Sequence, residues 1–121
     1  MINLSDRQAL HKLVVLELAV RSLQHDYVQL ETLKMHKLYT TWTELLLKHL
    51  YPAYREQKKQ LAQKQIRIVR WRKVDMYFSE VLIATAGEDI VLRYANQAIK
   101  AEVEELLLQR FLSGITNPRC I

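Results

Sequence analysis

The sequence predicts an α+β fold: an N-terminal helical hairpin, a small antiparallel β-sheet of two or three strands, and a C-terminal helix. Three observations carry that expectation. Apolar residues recur at helical spacing in the first half of the chain, as in Leu10, Leu13, Val14 and Leu18, then Leu38, Trp42, Leu45 and Leu46. The period then changes: Ile66-Arg67-Ile68-Val69-Arg70-Trp71 and the run from Met76 to Thr85 are β-branched and aromatic. Helical spacing returns after Asn96, through Ile99, Val103, Leu106, Leu107 and Phe111.

Each element has its own signals. Ser5 followed by Gln8 reads as a capping box, with a first helix at about Asp6 to Leu23. That helix is apolar around most of its girth, so it needs cover on several sides. One helix and a small sheet offer little of it, and the surplus points to an oligomer interface. Asp26 is a plausible N-cap, so Gln24-His25-Asp26 is read as the break of an αα-hairpin. The second helix carries a stripe of Tyr27, Leu30, Leu33, Leu38, Trp42, Leu45, Leu46 and Leu50. Pro52 either ends it or opens a third helix, because proline is tolerated in a first turn. Ala53 to Gln65 has a thin apolar stripe and is expected as a solvated connecting helix.

A β-hairpin is expected from about residue 75 to 95, turning at Ala86-Gly87-Glu88, with 66–72 as a third strand or one end of a long bent one. Asn96 is the expected cap of the last helix and Gly114 its stop, with Asn117-Pro118 beginning a loose tail. The chain is thus expected as a single domain over 1–113 and a flexible tail over 114–121.

Composition removes several classes of function. The chain has 121 residues, half of them hydrophobic and a quarter charged, which suits one globular core. No apolar run approaches the roughly 20 residues of a spanning helix, and no basic region precedes an apolar one, so neither membrane nor signal peptide is expected. The lone cysteine, Cys120, suits a reducing, cytoplasmic home. Gly87 and Gly114 are the only glycines, too few and too scattered for the loops that cradle phosphates, so no nucleotide cofactor is expected. His11, His25, His36 and His49 include no i, i+4 pair, which argues against a metal site. No serine sits in a glycine-flanked elbow, and Glu104 and Glu105 diverge around a helix, so no catalytic residue is assigned and no enzyme is expected.

The most informative feature is a block of charge. Between Arg55 and Lys73 stand eight basic side chains (Arg55, Lys58, Lys59, Lys64, Arg67, Arg70, Arg72 and Lys73) and one acid, Glu56. The whole chain carries only +5, so the remainder is net acidic. Such a field attracts phosphate or an acidic partner. One reading is a nucleic-acid surface with Trp71 or Tyr77 stacking on a base. A second is a solvated strand face that blunts a sheet edge. A third is pairing with the acidic last helix, within the chain or across a dimer. Trp71 itself is expected in the core.

The order helix, three strands, helix over 53–113 resembles the bare topology of a double-stranded RNA-binding domain. That family grips phosphates with a lysine cluster opening its last helix; here Lys100 stands alone before Glu102, Glu104 and Glu105. The resemblance implies no site residues. The functional expectation is a non-enzymatic regulatory or interaction protein that works through helical contacts, most simply as a homo-oligomer, with Trp42, Leu45 and Leu46 at the interface. The alternative is a nucleic-acid-binding module built on the basic block.

Overall fold

The computed structural model describes residues 3 to 116. Its order is α1 (Leu4–Leu30), α2 (His36–Gln63), β1 (Arg67–Lys73), β2 (Phe78–Ala84), β3 (Asp89–Ala95) and α3 (Asn96–Thr116). The expected α+β arrangement is present: a helical hairpin, a three-stranded antiparallel sheet and a C-terminal helix.

Both ends of the first helix differ from expectation. Its cap is Asn3, whose Oδ1 accepts from the Asp6 N–H at 2.7 Å, so Ser5 lies inside the first turn. Asparagine and serine cap equally well, and the earlier cap lengthens the helix. At the far end α1 runs straight through Gln24-His25-Asp26. None of these residues forbids helix, and side-chain contacts to α2 continue past them. The turn falls instead at residues 31–35, so Tyr27 and Leu30 belong to α1.

The two helices run antiparallel, joined by a ladder of polar contacts. From the open end these are Lys64 with Asp6 (2.6 Å), Gln57 with the Ala9 carbonyl (2.9 Å), Tyr54 with Glu17 (3.1 Å), Gln24 with Tyr51, and Tyr27 with Glu44 (2.6 Å). Pro52 neither ends α2 nor opens a new helix; it sits exposed within it. An interior proline costs about 3 kcal/mol, and here Leu50 is fully buried while Tyr51, Ala53 and Tyr54 pack against the core on either side of it. That packing, not local propensity, keeps the helix continuous. The expected connecting helix is therefore the second half of α2.

α2 ends in a Schellman motif without a glycine. Gln65 takes the left-handed position with φ of 63°, its N–H bonds to the Ala62 carbonyl, and the Ile66 N–H reaches the Leu61 carbonyl. Leu61 and Ile66, the pair that normally closes such a motif, are both buried. The turn aims the chain into β1.

The sheet has the order β1-β2-β3, both pairs antiparallel. Between Ile68 and Arg70 the register shifts, leaving Val69 as the extra residue of a bulge. The bulge is what allows Ile68 and Trp71 to share a face, pairing with Ile83 and Val81 of β2. Without it Arg70 would point into the core. Met76 and Tyr77, expected in the strand, lie in the β1–β2 turn, because the Asp75 carboxylate takes the N–H groups of Tyr77 and Phe78, each at 2.8 Å. Those two bonds hold the Asp75 carboxyl below its ordinary range.

Asn96 does not use its side chain as a helix cap. Its Oδ1 accepts from Ser79 at 2.6 Å and its amide donates to the Asp75 carbonyl at 3.2 Å, tying the start of α3 to the β1–β2 turn. α3 then passes Gly114 and ends at Thr116; one helical glycine costs only about 1 kcal/mol against alanine. Asn117, Pro118 and Cys120 lie outside the described residues.

The core is centred on α1. Leu10, Leu13, Val14, Leu16 and Ala19 are at most 2% exposed, and they meet Leu50 and Leu61 of α2, Val81 and Ile83 of β2, and Ile99 and Val103 of α3. The cover expected from a second subunit is thus supplied by the chain itself. The all-round hydrophobicity of α1 between Leu10 and Leu23 reflects its central place; its exposed apolar side chains, Leu4 and Val28, lie near its ends.

Candidate interaction surfaces

The basic block divides into two environments. On α2, Arg55 lies over the Tyr51 ring at 5.4 Å, Lys58 over Tyr54 at 5.6 Å, and Lys64 pairs with Asp6, while Lys59 is exposed. Three of these four cations are engaged with their own scaffold. On β1, Arg67, Arg70 and Arg72 are exposed and alternate onto the sheet face away from the core. Lys73 falls on the opposite face, in register with Ser79. It lines a cleft of about 480 Å³ whose walls include Leu18, Trp71, Ile99 and Val103 and which Lys100 also lines.

The outward face of the sheet is read directly from the register. Its rows are Arg67, Ala84, Asp89; Arg70, Leu82, Val91; and Arg72, Glu80, Arg93, with Phe78 and Ala95 beyond. The residues that pack on the helical core (Ile68, Trp71, Val81, Ile83, Ile90, Leu92 and Tyr94) all belong to the other face. Arg93 reaches diagonally across the strands and stands over the Phe78 ring at 4.7 Å. Arg67, Arg70, Arg72 and Arg93 ion-pair with no carboxylate among the described residues. The sequence block did not include Arg93 or Phe78. The alternation in Asp89-Ile90-Val91-Leu92-Arg93-Tyr94-Ala95 was the available signal, since every second residue of an antiparallel strand shares a face.

The acidic helix does not meet this surface. Glu102 accepts from His11 Nε2 at 2.7 Å, and Glu104 and Glu105 line hollows against α1. Intramolecular pairing of the block with α3, one of the expected arrangements, is absent among the described residues. The separation follows from the fold. α3 packs on α1 and β3, whereas β1 forms the far edge of the sheet.

His11 is also the middle of a relay. Tyr94 Oη lies 3.3 Å from His11 Nδ1, and the two rings stack at 5.6 Å. Burial, and then the nearby Glu102, push the Tyr94 phenol up to about 12. A nucleophilic tyrosine needs the opposite shift. At neutral pH Tyr94 stays protonated, with its hydroxyl within hydrogen-bond reach of His11 Nδ1 while Nε2 meets Glu102. This chain of bonds clamps α1, β3 and α3 together.

Trp71 is taken by the core. It is half-buried, and its Nε1–H donates to Glu17 Oε2 at 2.5 Å. Glu17 also accepts from Tyr54 at 3.1 Å and has Arg21 at 3.8 Å, so this buried carboxylate has partners from α1, α2 and β1. Of the two expected stacking aromatics, only Tyr77 stands open, at 67% exposure. No group of three or more His, Cys, Asp or Glu among the described residues is placed to hold a metal ion, and no helix among them is long and apolar enough to cross a membrane.

A second surface lies where the first half of α2 meets the end of α3. Leu38, Trp42 and Leu45 form a line at spacings of four and three, and are 39%, 42% and 37% exposed. Leu46, expected beside them, turns inward and packs on the core. Trp42 makes an edge-to-face contact with Phe111 at 5.6 Å, which joins the α2 stripe to α3, where Leu108 is exposed. Met35, in the turn before α2, is exposed too. The predicted eight-residue stripe of the second helix is thus split: Leu50 serves the core and the 38–42–45 line faces outward.

The model of a family described as YhjD protein matches residues 1–114, so the chain belongs to that family. No curated protein and no solved structure matches it.

Proposed function

We propose that this member of the YhjD family is a non-enzymatic interaction protein of the cytoplasm that self-associates through the apolar surface of α2 and α3. The observation that carries the reading is the exposed line Leu38, Trp42, Leu45, continued by Leu108. Side chains of this kind are normally covered, and a contiguous patch of more than a few hundred Å² marks a contact site. Trp42 suits its centre: a tryptophan held by an edge-to-face neighbour is already ordered, so it loses little entropy on docking. The four-and-three spacing is the one by which helices pair side by side, and it suits a second copy of α2. A symmetric pair is the commonest solution for one self-complementary patch.

The test is mass by light scattering across a wide concentration range, on the wild type and on a Trp42→Glu, Leu45→Glu variant. Both residues are solvent-exposed, so the variant should keep its far-ultraviolet spectrum. The expected result is a wild-type dimer at micromolar concentration and a monomer near 14.3 kDa for the variant. A wild type that stays at the monomer mass throughout overturns the proposal. So does a dimer that the two charges leave intact.

A further inference from the structure

We infer that the outward face of the three-stranded sheet is a binding surface for single-stranded nucleic acid. Phosphates would be held by Arg70, Arg72 and Arg93, and a base would stack on Phe78. The inference is independent of self-association, because it uses the opposite kind of surface at a different part of the fold.

Three properties of the face point to this occupant. First, it is uncovered: the core-packed residues of all three strands lie on the other side, and Val91 in its middle row is 55% exposed. Second, its charge is net positive: four arginines share its rows with two carboxylates, Glu80 and Asp89. Four guanidinium groups stand on it and none ion-pairs with a carboxylate among the described residues, while the acids of α3 are directed at α1. A polyanion with regularly spaced charges complements such a field better than an isolated acidic side chain does. Arginine is the cation for this work, because its planar fork meets two phosphate oxygens at once and its flat face stacks.

Third, the face has an aromatic platform at one end. Phe78 is 38% exposed with Arg93 over its ring at 4.7 Å, and Tyr77, one residue earlier, is 67% exposed. Every base has a π-face, so this combination of cations and stacking surfaces reads single strands with little regard to sequence. A duplex fits less well. Its bases are already stacked and would leave Phe78 idle, and α3 lacks the lysine cluster that grips a major groove. Glu80 lies between Arg72 and Arg93 in the register and limits the net charge of that row. Moderate, salt-sensitive affinity follows, not tight binding.

The experiment is fluorescence anisotropy with a labelled oligonucleotide of about 20 nucleotides, as single-stranded RNA, single-stranded DNA and duplex DNA, over a series of salt concentrations. Single strands of either sugar should bind, and the duplex more weakly. The logarithmic salt slope should be about −0.7 for each phosphate held. Arg70→Ala with Arg72→Ala should reduce that slope by about 1.4, and Phe78→Ala should weaken binding roughly tenfold, both with unchanged circular dichroism. Lys58→Ala with Lys59→Ala, on α2, should leave binding near the wild-type level. The inference is overturned if single strands do not bind at low salt. It is equally overturned if the α2 pair matters as much as the sheet arginines, since that is diffuse charge attraction. A preference for the duplex, or capture by an acidic peptide alone, would also refute it. Repeating the titration on the Trp42→Glu, Leu45→Glu variant separates this face from self-association, because its sheet is untouched.

Discussion

Removing Trp71 should cost more than its partial exposure suggests. The ring lies on the core face of β1, opposite Val81 and in one row with Leu92, and its N–H satisfies the buried Glu17 carboxylate at 2.5 Å. Truncating a fully buried tryptophan to alanine costs about 3–5 kcal/mol. With half the ring open, the apolar part falls below that range, to about 2 kcal/mol. Glu17, whose side chain is only 11% exposed, would then lose one of its two short donors, adding about 1–2 kcal/mol for a hydrogen bond to a charged group. Trp71→Ala should therefore lower stability by about 3–4 kcal/mol, a large share of the roughly 5–15 kcal/mol a domain possesses. Trp71→Phe keeps most of the packing and should lose only about 1–2 kcal/mol. Urea denaturation followed by far-ultraviolet circular dichroism measures both, with constancy of the m-value as the check on two-state behaviour. A double-mutant cycle with Glu17→Gln isolates the bond. A Trp71→Ala change within about 0.5 kcal/mol, the range of ordinary surface substitutions, would refute the placement. A coupling near zero in the cycle would refute the role given to Glu17.

Two further outcomes follow from local chemistry. Tyr94 ionises at about 12 in the folded protein and near 10 when unfolded, so the unfolded chain gains by ionising first and stability falls as pH rises from about 10 to 12. The part of that fall which disappears in Tyr94→Phe, measured by urea denaturation across the window, should be clearly resolved; identical pH profiles for the two proteins would contradict it. Gln65 holds a left-handed conformation that glycine adopts without strain, so Gln65→Gly should raise stability by about 0.5–1 kcal/mol even after its greater freedom in the unfolded chain is counted; a loss in thermal denaturation would count against the Schellman geometry.

The element types were legible because their periods differ, but their boundaries were decided by contacts that a single sequence does not display. Ser5 and Asp26 were plausible caps, yet neither was used. Asn3 lay two residues earlier, and the residues after Gln24 still had α2 to bond with through Tyr27 and Glu44. Pro52 is a local breaker overruled by the packing of Leu50 and Tyr54 on α1. Gln65 is the converse case, a sharp turn made without glycine because burial of Leu61 and Ile66 compensates for the strain. Helix 1 shows the limit of girth as an argument. A helix covered by its own chain and one covered by a partner have the same sequence pattern, and only the arrangement of α2, α3 and the sheet separates them.

The charge block shows the same limit at the level of the site. Sequence proximity grouped Arg55 with Lys73, but a helix and a strand distribute consecutive residues differently. The α2 half folds back over Tyr51, Tyr54 and Asp6, while the bulge at Val69 turns Arg70 and Arg72 onto the open face and Trp71 inward. A bulge is invisible in a run of β-branched residues, because sliding the register by one residue exchanges the two faces. Once the register is known, the residue that joins the block is Arg93, some twenty positions beyond it, and the aromatic beside it is Phe78 instead of Trp71. The grouping that matters chemically is therefore set by strand pairing. This is why the α2 lysines serve as the control for the sheet arginines: they belong to the same stretch of sequence and to a different surface.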